Sequence, residues 1–226
     1  TQTYSDADLT YAKLSSNPLN TRSAIELLEK YGSGRQSVFN LILYHPQSGQ
    51  LYTATTTLSL SEYGQSFMLA GMDTETFRAA LSNTAYASLF PETTFQRDHT
   101  SPAQVIPFFC RPGDNRQAVL FLLNARYFHK ILNTYQSSML VVDAVGTPIL
   151  SSWTDGPSEA LLAACAGVED RFVYDGVGYL LSRMDSAIAG LTYVSVHPLD
   201  DLLSDVLAVR QRFSAAMLWL ALLLLL

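Results

Sequence analysis

Four histidines, His45, His99, His129 and His197, and two cysteines, Cys110 and Cys165, are the side chains with most chemistry to offer. Their spacing offers little. No HExxH or other ligand spacing joins the histidines, and neither cysteine belongs to a CxxC pair, so no zinc site is written into the chain. There is no GxSxG elbow and no Walker A loop, and Gly176-Val-Gly178 lacks the third glycine and the strand-to-helix setting of a dinucleotide site. Asp170, Asp175 and Asp185 flank turns, where aspartate serves local backbone hydrogen bonds. The expectation is a protein that is not an enzyme and needs neither cofactor nor metal. The cysteines read as two buried thiols, with one long-range disulfide as the alternative. Binding chemistry is better represented. Arg97, Asp98 and His99 form a charged stretch of loop in which Arg97 can clamp a carboxylate bidentately. Tyr52 can stack on a small solute or hydrogen-bond it, and Asn40 is the lone amide in an apolar strand. Each also has an ordinary explanation: a strand bulge for Asn40, half-buried packing for Tyr52, a solvated loop for Arg97 to His99.

The elements that must position these residues form a repeated pattern. Val38 to Tyr44 is an apolar strand, followed by the turn His45-Pro-Gln-Ser-Gly49 and a second strand over Leu51 to Leu58. A helix is expected from Asp73 to Ala87, with Asp73 or Thr74 as cap, then a polar loop from Pro91 to Pro102. Strands at Val105 to Cys110 and Ala118 to Leu123 follow, and Asn124 caps a short helix over Ala125 to Leu132. The pattern then restarts. Strands are expected at Met139 to Asp143 and Pro148 to Ser151, a helix at Pro157 to Ala166, and strands at Gly178 to Met184 and Leu191 to Val196. Pro198 opens a last helix whose first turn holds Asp200 and Asp201, favourable to the helix dipole. Antiparallel sheets with helices on one side make this an α+β chain of two tandem units.

Composition agrees with a folded chain. Of 226 residues, 48% are hydrophobic and only 15% charged, against roughly 25% charged in an ordinary protein. A net charge of −6 and only three lysines, Lys13, Lys30 and Lys130, leave no basic face for nucleic acid. The region from Asp6 to Tyr31 reads as helix, bent at Asn17-Pro18, with Ser23 and Glu26 as a capping box. Phe213 to Leu226 carries no charge, Pro or Gly and ends in five leucines. A spanning helix needs about 20 apolar residues, so this run reads as the first part of a transmembrane helix, and the chain as a fragment of a longer membrane protein. Leu199, Leu202, Leu203, Val206 and Phe213 follow amphipathic spacing, and no Gly or Pro interrupts residues 199–226, so one rod can lead from the last strand to the membrane.

On these residues the sequence resembles the double Cache (PAS-like) sensor domains of bacterial membrane receptors. The segments that carry the resemblance are Leu43-Tyr-His-Pro-Gln-Ser-Gly-Gln-Leu-Tyr52, Met139-Leu-Val-Val-Asp-Ala-Val-Gly-Thr-Pro-Ile-Leu150 and Gly190-Leu-Thr-Tyr-Val-Ser-Val-His-Pro-Leu199. The likeness is nearest to the sensor half of membrane-bound AraC-type transcriptional regulators; histidine kinases and chemoreceptors use similar sensors. It implies an N-terminal signalling and dimerisation helix at 1–35, a membrane-distal unit at 36–134, a membrane-proximal unit at 135–198, and an exit helix entering the membrane at 199–226. It places residues 1 to about 212 outside the cell, although Arg210 and Arg212 beside the apolar run would by charge alone favour the inner side.

The resemblance further implies a small-molecule ligand, or a partner protein, for the distal unit. Asn40, Tyr52, Arg97, Asp98 and His99 are then the candidate contacts. The Tyr, Arg, Trp and Asp arrangement of amino-acid-binding members is not found, so the resemblance names no ligand. A homodimer is expected through the apolar stripe of Leu9, Leu14 and their neighbours, with a change at the exit helices carried to a cytoplasmic output; a membrane-anchored binding module without signalling is the alternative.

Overall fold

The computed structural model describes residues 18–32, 35–83, 87–111, 117–134, 138–153, 157–167, 170–186, 190–202, 204 and 209–210. They fall into two compact units, one of residues up to 134 with 186–191 and one of 135–185 with the residues from 192 on.

The first unit opens with helix α1 (Pro18–Gly32) and continues through strands β1 (Val38–His45), β2 (Gln50–Thr53), β3 (Thr57–Ser59) and β4 (Phe67–Leu69). Helix α2 (Thr74–Asn83) precedes β5 (Ala87–Leu89), β6 (Thr93–Arg97), β7 (Ala103–Cys110) and β8 (Ala118–Asn124), and helix α3 (Ala125–Leu132) closes the unit. The strands pair antiparallel in the order β3-β2-β1-β8-β7-β6-β4, with β5 also on β7. Alternation assigns the faces. Ile42 opposes Leu120 and Tyr44 opposes Leu51 on one side, while Leu43 opposes Tyr52 and Val119 on the other. The first side holds the main core, with Phe77 and Leu81 of α2 packed among Leu51, Leu69, Val105, Phe109 and Leu122. Leu28 of α1 covers the second side against Leu41, Leu43, Tyr52 and Val119.

This sheet is strongly curled. β1 and β6 stand three positions apart in the order, about 14 Å in a flat sheet, yet the rings of Phe39 and Phe95 meet at 6.1 Å. Arg97 at the end of β6 likewise donates to the Thr55 hydroxyl, between β2 and β3, at 3.0 Å. The concave interior is filled by aromatic rings: Tyr63 stacks on Phe77 at 4.2 Å, with Phe67 and Phe109 edge-on to Phe77.

The second unit has strands β9 (Ser138–Val142) and β10 (Pro148–Ser151), helix α4 (Glu159–Ala166), then β11 (Arg171–Tyr174), β12 (Val177–Asp185) and β13 (Thr192–Pro198), in the sheet order β10-β9-β13-β12-β11. Asp143 builds the first hairpin turn by accepting the N–H groups of Val145 and Thr147, with Gly146 in the left-handed region at φ 85°. Ser158 caps α4 by accepting from the Leu161 N–H. Leu161 packs on Leu140, Leu181, Val194 and Val196. Past β13 the chain turns helical at once, and Leu199 lies against Gly178 of β12, where an added Cβ would stand 2.9 Å from a Leu199 methyl.

Several expectations are corrected. The strand expected over 51–58 is two strands, because the Thr53 hydroxyl accepts from the N–H groups of Thr55 and Thr56 and turns the chain. The polar loop expected at 91–102 contains β6. Asn124 stands at the N-cap of α3, but its amide donates to the Gln36 carbonyl and makes no cap bond. Ser23 and Glu26 are no capping box, since both lie inside α1, where Glu26 pairs with Arg22 at 3.1 Å. Pro198 ends β13, and the helix begins after it. The cysteines are free and half-buried. Among the described residues no helix is long and apolar enough to cross a membrane. The apolar run at 213–226 and the stripe at Leu9 and Leu14 lie outside them.

Candidate functional site

Of the five residues singled out in the sequence, Arg97, Asp98 and His99 share one turn, while Asn40 lies on β1 and Tyr52 on β2. Asn40 sits where the pairing of β1 with β8 slips by one residue, and its side-chain oxygen accepts the Leu41 N–H at 2.8 Å. That is the work of an amide at a bulge. Tyr52 is 6% exposed, on the face covered by α1, with its ring edge-on to His45 at 5.4 Å. Arg97, Asp98 and His99 share one surface turn that follows β6. There the Asp98 N–H donates to the Ser66 carbonyl and His99 adopts φ 59°. The Arg97 side chain reaches out of this turn to the Thr55 hydroxyl.

A different group of residues encloses space. At one edge of the core, the loop from Ala70 to Asp73, the first turn of α2, the segment Phe90 to Thr93 and the middle of β7 form a cleft of about 230 Å3. Met72, Phe90, Pro91 and Pro107 give it apolar walls; Thr76, Glu92 and Thr93 supply its polar side chains. The walls are pinned by hydrogen bonds. The Tyr63 hydroxyl donates to the Met72 carbonyl at 2.9 Å and accepts from the Leu69 N–H at 3.1 Å. Thr93 donates its hydroxyl to the Ala70 carbonyl, and the Phe90 N–H donates to the Pro107 carbonyl at 2.9 Å. Asp73 accepts from the Thr76 N–H at 2.7 Å and so starts α2; that bond holds its carboxyl below the usual range.

The electrostatic feature of the cleft is Glu92. Its carboxylate meets Nε2 of His129, on α3, at 2.6 Å, with the two side chains 29% and 33% exposed. A carboxylate only accepts, so Nε2 carries the hydrogen. The pair joins residues 37 positions apart, in no motif, and sequence reasoning missed it. Burial holds His45 neutral by lowering its pKa to about 4, and burial pushes the thiols of Cys110 and Cys165 up, away from nucleophilic thiolate. Among the described residues no three His, Cys, Asp or Glu side chains gather to hold a metal ion.

No protein-family model matches the chain, and no curated protein matches its sequence. Solved structures do share its fold. The sensory domain of the Campylobacter jejuni chemoreceptor Tlp3, with isoleucine bound, aligns with a TM-score of 0.56 at 10% identity over 88% of this chain and 82% of that one. The ligand-binding domain of the Pseudomonas fluorescens chemoreceptor CtaA, in complex with L-isoleucine, gives 0.56 at 12% identity over 84% and 80%. The extracellular domain of the histidine kinase vpHK1S-Z8 gives 0.54 at 11% identity over 89% and 86%. The chain therefore has the Cache-like α+β fold of extracellular sensor domains.

Proposed function

We propose that the chain is the extracytoplasmic sensor of a bacterial transmembrane signalling protein, and that its first unit binds a small molecule or a partner protein. The observation that carries this reading is the fold, which the chain shares over most of its length with the sensor domains of chemoreceptors and of a histidine kinase. The helical turn that follows β13 without a linker supports transmission, because a tether built only to anchor would favour Gly and Ser. In this reading the apolar run from Phe213 crosses the membrane, two copies pair through their N-terminal helices, and the exit helices drive a cytoplasmic AraC-type helix-turn-helix domain. A chemoreceptor or kinase output is the second reading, favoured by the identities of the structural neighbours.

The reading frame beyond Leu226 tests the proposal. Completion of the apolar run followed by two helix-turn-helix motifs supports the transcriptional output. A kinase or chemoreceptor signalling domain in that position keeps the sensor and replaces its output. A stop codon soon after the run overturns signalling by this chain alone.

A further inference from the structure

The cleft beside α2 states the chemistry of what it can hold. Its walls are apolar, and among its lining residues Glu92 is the sole ionisable side chain. Among the described residues that line it there is no Lys, Arg or His, so a carboxylate or phosphate entering there would meet the like charge of Glu92 and no counter-charge in the lining. At about 230 Å3 the space is below the 300–1,000 Å3 of drug-sized sites and suits a compact molecule. Glu92 already has a partner, His129, and that partner belongs to α3, the last element of the first unit before the chain passes to the second at residue 134.

We propose that the cleft binds a small primary amine with a compact apolar body, and that its ammonium takes Glu92 away from His129. The ammonium offers three donors to a carboxylate that is more than two-thirds buried, and the alkyl body fills the space between Met72, Phe90 and Pro107. The imidazole of His129 then loses its acceptor, and α3 loses the side-chain bond that ties it to the segment preceding β6. Occupancy of the cleft is in this way reported to the helix that leads out of the unit. The consequence for signalling rests on the sensor reading above; the binding chemistry does not.

The test uses the 226-residue chain in detergent micelles, with n-butylamine as probe and 1-butanol and butyrate as controls of similar shape. Nuclear magnetic resonance of the His129 ring and calorimetry provide independent readouts. The expected result is saturable n-butylamine binding in the millimolar range that moves the His129 ring signals, with neither control binding measurably. Glu92→Gln, which keeps shape and hydrogen bonding but removes charge, weakens the amine by at least about tenfold. His129→Ala removes the competitor and tightens it by about threefold or more. Equal binding of 1-butanol, wild-type affinity in Glu92→Gln, or no saturable response to n-butylamine in the wild type overturns the site. An unmoved His129 ring, or unchanged affinity in His129→Ala, overturns the displacement. The ring measurement needs no variant, so a poorly folded mutant does not shield the idea. Amine binding in a chain whose reading frame carries no signalling domain sinks the sensor reading and leaves the site; a signalling domain without amine binding does the reverse.

Discussion

Burial sets the behaviour of His45, which is 1% exposed at the end of β1 with its ring against Tyr52. Its pKa falls to about 4 in the fold from 6.5 in the open chain, so between these values the unfolded chain binds the extra proton. Stability from this residue is therefore intact above pH 6.5, drains as pH falls towards 4, and levels off below; the loss reaches about 3 kcal/mol. Denaturant melts across that window check it against His45→Gln, which cannot titrate and should show a flatter slope. Parallel slopes would refute burial as the cause. The Tyr63 hydroxyl holds both the Leu69 N–H and the Met72 carbonyl of the cleft wall. Tyr63→Phe keeps the stack on Phe77 and orphans both groups, so it should cost about 1–3 kcal/mol in urea unfolding and speed hydrogen exchange at Leu69. An unchanged midpoint would mean that water replaces the hydroxyl. Sequence could nominate Asn40 and Tyr52 as unusual for their surroundings, but which face a side chain meets depends on a one-residue bulge and on the element laid over it. Glu92 and His129 carried no signal at all, since the sheet's curl and the fold of α3 bring them together.

The long elements were legible because their periodicity is strong. β1, β7, β8, β12, α3 and α4 lie within a residue or two of where hydrophobic pattern and caps put them. The short ones were not. Phe67–Leu69 and Ala87–Leu89 are three residues each, too few to display a period, and Thr93–Arg97 hides a single buried residue, Phe95, among polar neighbours. β11 has a readable cue in the turn that follows it. Asp175-Gly176, both at positive φ, make a tight hairpin turn between Arg171–Tyr174 and Val177–Asp185. At this scale Gly178 matters most, because its missing side chain lets Leu199 seat the start of the helix that follows β13 on β12. Gly178→Ala should cost little, as the Leu199 methyl can swing away. Gly178→Val cannot be relieved so easily and should lower the stability of the second unit by about 1–3 kcal/mol, with exchange broadening at Leu199 amide signals. Equal effects from alanine and valine would argue that the contact is loose.

For the whole molecule, the two-unit α+β architecture was readable because the strand, turn, strand, helix order recurs, and each recurrence must bury its own apolar face. The curl of the first sheet was not readable, as no local pattern encodes a contact such as Phe39 with Phe95 across three strand spacings. What the architecture makes testable is the mechanical nature of the segment that follows β13, which the proposed function makes the link to the membrane. The chain leaves β13 directly into helix at Leu199, and no Gly or Pro follows before Leu226. A continuous helix transmits angle as well as displacement, whereas a flexible tether transmits neither. Inserting one alanine after Ser204 in the full-length protein rotates everything downstream by about 100°, and inserting seven returns it to within about 20° of its original phase. On the sensor reading proposed above, a rod means that the single insertion should lock output on or off and the seven-residue insertion should restore response to stimulus, as read by reporter activity in cells. Equal and near-normal response from both insertions would show that the segment acts as a tether, and would leave the shared fold without the mechanical link that signalling requires.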